Sequence, residues 1–159
     1  MELIRQIDFE TILPMWRDHL WPGRVSPIMP VSTMKYLGGY DWKIHEKYTD
    51  LAVYFGMYDE ETTDLLGVFS GHPTELERFR GRGLYVLPPY RGVGLGRQLV
   101  KAVVKEAQKY GADFCWCLPR VNNVQFFEQC GFMPVSNTFN DERVEFGPNI
   151  YMAKPLMPF

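Results

Sequence analysis

Cysteine is scarce in this sequence and does not pair up. Cys115, Cys117 and Cys130 are three residues in a chain of 159, an odd number that argues against a disulfide framework and predicts free thiols. Long apolar runs are missing as well. The N-terminus, Met1-Glu2-Leu3-Ile4-Arg5-Gln6, has nothing of the length a signal peptide or a membrane span requires, so the expected location is cytoplasmic. No charge sign dominates. A net charge of −2 and a pI near 5.9 give no general attraction to nucleic acid or to an anionic membrane, and neither partner is expected. His19 and His45 have no partner spacing, His72 is a lone candidate base set against a turn reading, and Cys115-x-Cys117 stands without a second pair, so no metal is expected. Repeats, low-complexity tracts and long linkers are absent too.

What is present is a globular composition, 46% hydrophobic and 23% charged, which implies one ordered domain over residues 1–159. A domain of this size buries roughly 68–70% of its unfolded surface.

Met1 to Ile7 alternates weakly and reads as a strand, ended by Asp8, a candidate N-cap for the amphipathic segment Phe9 to Leu20. Trp21 to Tyr48 is broken by prolines and glycines yet rich in aromatics, and reads as loop with one short helix near Val31 to Leu37. Leu51 to Tyr58 and Leu65 to Gly71 flank a polar turn and predict a hairpin. His72, beside Pro73, reads as a turn residue. Gly83 to Leu87 reads as a strand stopped by Pro88-Pro89. Leu95 to Tyr110 is a helix with apolar residues four apart, capped by Gly111. Asp113 to Leu118 suits a buried strand, so Gly83 to Leu118 has the shape of a βαβ unit with parallel pairing. Asn122 to Cys130 is a short helix ended by Gly131, followed by strand-like Phe132 to Phe139 and Asn149 to Lys154. The order is near βααββββαβαββ: an α+β fold (α/β by some schemes) with a central, mixed, mostly antiparallel sheet flanked by helices.

The informative segment runs from Val86 to Arg97, VLPPYRGVGLGR. Gly92, Gly94 and Gly96 permit a tight turn that exposes successive N–H groups at a helix N-terminus, where the helix dipole favours phosphate or pyrophosphate. Arg91 adds a cation. A dinucleotide-binding unit wants G-x-G-x-x-G, and a P-loop wants Gly-Lys-Ser or Gly-Lys-Thr; neither is here.

The segment resembles motif A of the GCN5-related N-acetyltransferase superfamily, R/Q-x-x-G-x-G/A, through Arg91, Gly94 and Gly96, preceded by the V-x-P strand end at Val86 to Pro88. Asn123 to Phe132 is similar to the family's next helix, and Ile150 to Leu156 to its last strand. The resemblance implies acetyl-CoA, or another acyl-CoA, as cosubstrate. Its pyrophosphate would lie on the N–H groups of Gly92, Val93, Gly94, Leu95, Gly96 and Arg97 beside Arg91, and its pantetheine arm along Tyr85, Val86 and Leu87. The Val86 N–H would be the oxyanion donor, and Asn123 and Phe127 would line the same site. The implied reaction is acetyl transfer to the amine of a small molecule or a peptide. Dimers are common in the family, and nothing in the sequence specifies an interface.

Three positions depart from the family's pattern. Phe127 stands where many members carry the tyrosine that protonates the departing thiolate, leaving Tyr85, Cys130, Tyr110 or solvent as substitutes. Arg120 replaces a pantetheine-contacting asparagine. Arg82 occupies the position at which some small-amine acetyltransferases carry a glutamate base, and with Arg24 it suits an acceptor bearing a carboxylate or phosphate. The aromatic stretch Trp21 to Tyr48 is the expected acceptor-recognition region, with core packing as its alternative. Phe127 keeps a second reading open, an acyl-CoA-binding sensor without catalysis.

Overall fold

The computed structural model describes residues 2–141 and 144–156; Met1, placed in the expected first strand, lies outside them. Seven strands form one sheet in the order β1-β2-β3-β4-β5-β7-β6: β1 Glu2–Ile7, β2 Val53–Asp59, β3 Leu65–Glu75, β4 Arg78–Val86, β5 Phe114–Cys117, β6 Met133–Pro134 and β7 Met152–Pro155. Only β4 and β5 run parallel; every other neighbouring pair is antiparallel. The mixed, mostly antiparallel sheet flanked by helices is the fold expected, with one strand fewer before the long helix than the sequence suggested.

Asp8 caps α1 (Phe9–Met15) by accepting the Thr11 N–H at 2.9 Å, and the helix continues through one π-helical turn, Trp16–Leu20. No helix forms over Val31 to Leu37. Leu37, Gly38 and Gly39 all take positive φ, and the chain folds back so that Met34 bridges Tyr40. The short helix comes later, α2 at Lys43–Tyr48, where the Asp41 side chain accepts the Lys43 N–H. The long amphipathic helix α3, Leu95–Tyr110, ends on Gly111 in the left-handed region as expected. The short helix α4 covers Val124–Gln129. Phe132 to Phe139 contributes only β6 and an isolated bridge from Phe139 to Asn149.

The two faces of the sheet bury different chemistry. On one, α3 and α4 pack Leu99, Val103 and Phe127 over Phe69, Phe79, Cys115 and Cys117. On the other, α1, its π turn and the loop after it cover Trp16, Tyr54, Val68, Trp116 and Tyr151. All three cysteines are free, and burial raises the pKa of each thiol.

β3 and β4 are longer than the sequence suggested, and the additions carry polar residues. β3 runs on through His72 and Pro73 to Glu75, so His72 is a buried strand residue and not a turn. Its Nε2 accepts the Ser32 N–H at 3.3 Å, and its Nδ1–H donates to the Pro73 carbonyl at 2.9 Å. Burial, with Arg82 and Arg80 adding to it, brings its pKa down to about 3, so the folded ring stays neutral where an unfolded histidine would take up a proton. Stability is therefore complete above the unfolded value of about 6.5 and falls with pH below it, by about 1.4 kcal/mol per unit at most. Urea midpoints measured from pH 7 to pH 5 are expected to fall in the native chain and to flatten in His72→Gln, which starts lower.

Candidate active site

β4 and β5 are paired only over Arg78 to Arg80. Past that point β4 bulges: its register with β3 shifts between Val68 and Ser70, opposite Gly83, whose φ is +79°. A Cβ at Gly83 would run into the Trp16 indole, and the indole Nε1–H donates to the Gly83 carbonyl at 2.8 Å. Glycine is required both for the backbone conformation and for the ring beside it.

The parted strands leave a cleft through the sheet of about 100 Å³, with room for several water-sized groups. Leu84, Cys117, Asn123 and Phe127 line it from the α3 and α4 side, and Arg80, Arg82, Trp21 and Arg120 from the other. Leu87 donates its N–H to Leu66 at 2.9 Å. Because N–H groups alternate along an antiparallel strand, the Val86 N–H is directed to the edge that β5 has left. The Val86 carbonyl is taken, accepting from Arg91 Nε at 2.6 Å.

The glycine loop follows directly. Pro88–Tyr90 makes one 3-10 turn, Gly92 and Gly94 take φ of +82° and +93°, and α3 begins at Leu95 with no side-chain cap on its first turn. A Cβ at Gly92 or Gly94 would meet nothing within 4 Å. The loop thus borders open space, and the first-turn N–H groups of α3 carry no side-chain cap, the combination that suits a phosphate. Leu95 is buried and anchors the helix, while Val93 and Arg97 are exposed.

The structure gathers the expected site residues unevenly. Val86, Leu87 and Arg91 to Arg97 form one continuous edge and loop, and Asn123 and Phe127 stand in the cleft wall. Phe127 is buried, its ring 5.6 Å from Phe132 and 5.2 Å from Phe126. Tyr85 points to the opposite face, stacked on His19 at 5.8 Å with Arg91 5.1 Å over its ring. Tyr110 ends α3, about 22 Å of helix away from the loop, where burial pushes its hydroxyl up to about 12. Cys130 follows α4, its carbonyl accepting from Lys154.

Sequence reasoning missed Arg80 and Asn149. On β4 the side chains of Arg78, Arg80 and Arg82 share one face, each over a ring: Tyr36 at 5.2 Å, Trp116 at 4.9 Å and Trp16 at 4.9 Å. Arg80 and Arg82 are buried. Burial lowers the pKa of Arg80 to about 10 and that of Arg82 well below its ordinary value, the latter also opposed by Arg80 and Arg24. Arg82 donates to the Met29 carbonyl at 2.9 Å and Arg120 to the Leu20 carbonyl at 2.6 Å. Arg80 Nε and Asn149 Oδ1 are buried with no hydrogen-bond partner among the described residues. The signal was the alternation Arg78-x-Arg80-x-Arg82, legible only once that segment is known to be strand.

The fold is that of the acyl-CoA N-acyltransferases. A family model described as the acetyltransferase (GNAT) family matches residues 14–132, and the chain belongs to this family: it is an N-acetyltransferase by class, with an acyl-CoA as cosubstrate. A protein from Lactobacillus plantarum assigned as an N-acetyltransferase is similar in structure, with 17% identity and a TM-score of 0.70 over 98% of this chain and 99% of that one. The ribosomal-protein-S18-alanine N-acetyltransferase of Escherichia coli gives 18% and 0.65 over 98% and 94%. A Bacillus anthracis protein assigned as a streptothricin acetyltransferase, solved in complex with acetyl coenzyme A, gives 17% and 0.57 over 67% and 63%. At such identities the likeness is one of fold. No helix among the described residues is long and apolar enough to cross a membrane.

Gly94→Val places a branched side chain at a left-handed residue and in the open space before α3, straining the backbone by about 1–2 kcal/mol. Acetyl-CoA affinity, measured by calorimetry, is expected to drop at least about tenfold, since loss of one charge-assisted hydrogen bond already costs about 1.5–3 kcal/mol. The far-UV spectrum should be unchanged.

Proposed function

We propose that this chain, read as one domain, transfers the acetyl group of acetyl-CoA to the amine of a small molecule or peptide by direct attack in a ternary complex. The observation that carries this reading is the β4 edge, unpaired by β5 after Arg80, running straight into the uncapped N–H groups at the start of α3. The N–H groups of Gly92 to Arg97 bind the pyrophosphate of CoA, with Arg91 beside them. The edge of Tyr85 to Leu87 takes the pantetheine arm as an added strand. Arg91 gives up the Val86 carbonyl as that arm enters.

Acetyl-CoA supplies an activated acyl group, and the protein supplies position and charge. The Val86 N–H faces the developing oxyanion. The acceptor nitrogen forms its bond to the acyl carbon and releases a proton to water in the cleft, the C–S bond breaks, and the thiolate takes up a proton in turn. Phe127 has no hydroxyl to give and Tyr85 lies on the opposite face against His19, so that proton comes from water in the cleft. A missing general acid costs about 10²–10⁴-fold in rate, and a thiolate leaves fairly readily without one.

A thermal-shift titration with acetyl-CoA, CoA, ATP and NAD tests the cosubstrate site, because a ligand that binds only the folded chain stabilises it by mass action. Acetyl-CoA and CoA are expected to raise the melting temperature while ATP and NAD leave it unchanged; no response to the first two would sink the reading.

Phe127 favours a second reading, an acyl-CoA-binding sensor, and Phe127→Tyr separates the two. If the chain is an enzyme short of its acid, the added hydroxyl is expected to raise kcat about tenfold or more across an amine panel, without changing acetyl-CoA affinity. A chain that binds acetyl-CoA and turns over no amine, with or without the substitution, is the sensor.

A further inference from the structure

The arginine face of the cleft is a built site with no occupant assigned from its geometry. Arg80 and Arg82 are more than nine-tenths buried, and Arg120 lines the same cavity. Arg24 adds a fourth guanidinium, 4.7 Å over the Trp21 ring. Against these, Glu145 is the one acidic side chain among the described lining residues. It is already engaged, accepting the N–H groups of Val25 and Ser26 at 2.8 and 3.2 Å and pairing with Arg24 at 3.9 Å. Arg82 and Arg120 each spend a donor on a backbone carbonyl. Arg80 is different. Its Nε finds no acceptor among the described residues, and its guanidinium rests on Trp116. A buried donor left over in a cationic cavity is matched by an anion. Asn149 lines the same cavity; its Nδ2–H donates to the Leu118 carbonyl at 3.2 Å, and its Oδ1 is buried with no donor among the described residues.

The geometry points to an acceptor that is a small amine bearing an acid oxyanion, a carboxylate or a phosphate. Arg80 holds the oxyanion in the field of Arg82 and Arg120, and Asn149 Oδ1 accepts an N–H of the same molecule. This rests on the acetyl-transfer reading and names the substrate class for it. It also accounts for Arg82 where a base would stand. Guanidinium groups beside the acceptor disfavour its ammonium form, so the field delivers the neutral amine that attack requires and no carboxylate base is needed. Binding of the acid therefore secures the acceptor and lowers the pKa of its amine together.

The test is calorimetric titration of the protein, with and without saturating CoA, by the protein amino acids and phosphoethanolamine, and by the amino-acid carboxamides and putrescine as probes lacking the acid. Carboxylate or phosphate probes are expected to bind at least about tenfold more tightly than their uncharged or cationic counterparts, and whichever arm binds identifies the oxyanion. Arg80→Gln should remove that preference while leaving the CoA-induced thermal shift intact. Arg120→Gln, at a less buried position, should weaken it and serves if the first variant fails to fold. In turnover, the acid limb of kcat/KM for the selected acceptor should lie below the pKa of its free amine. Equal or tighter binding of carboxamides or putrescine, or no binding of any acid probe, would overturn the inference. Failure of CoA to stabilise the chain would instead remove the proposed function, and acid selectivity read without CoA would stand apart from it.

Discussion

The parting of β4 from β5 after Arg80 is the constraint on which the rest of the site depends. A parallel pair that stayed in register would satisfy the β4 edge with β5 and close the sheet. Here Gly83 takes a conformation that other residues resist, and the bulge around it turns the strand away. Trp16 holds that bulge by bonding the Gly83 carbonyl. The π-helical turn that carries Trp16 is thus part of the site's architecture although its residues lie far from it in sequence. One glycine and one indole leave open both the β4 edge and the cleft beside it.

The two faces of the opening are chemically unlike, and the family's reaction has use for the difference. The α3 side is apolar apart from Asn123 and the backbone donors at the loop, with Phe127 and Leu84 about the passage. The opposite side is a ladder of arginines on aromatic rings. Burying a guanidinium costs several kcal/mol, and a ring face returns about 0.5–2 kcal/mol. Rings alone therefore do not offset the burial of Arg80 and Arg82. The hydrogen bond from Arg82 to the Met29 carbonyl recovers part of the deficit, and the residual positive charge lines the cleft.

Much of the fold was legible in the sequence because it rests on local rules. Asp8 caps, α3 repeats its apolar residues every turn, Gly111 stops it, and the β2–β3 hairpin has polar turn residues between apolar runs. The βαβ unit and its parallel pair followed from element order. The glycine loop was legible for the same reason, since Gly92 and Gly94 answer a backbone demand that no distant residue can change. The short helix expected near residues 31–37 does not form, because Leu37 to Gly39 take positive φ and fold the chain back on itself.

The sequence by itself determined the element order and the loop at the start of α3, because helix periodicity, capping and glycine conformation act within a few residues. Tertiary structure alone decided that Arg78 to Arg82 is strand, that His72 is buried and neutral, and that Arg80, Arg82 and Arg120 share one cavity. In sequence those arginines look solvated. What covers Arg80 and Arg82 are Trp16, Trp21 and Trp116, drawn from distant parts of the chain, and no local pattern encodes a cover supplied from so far away.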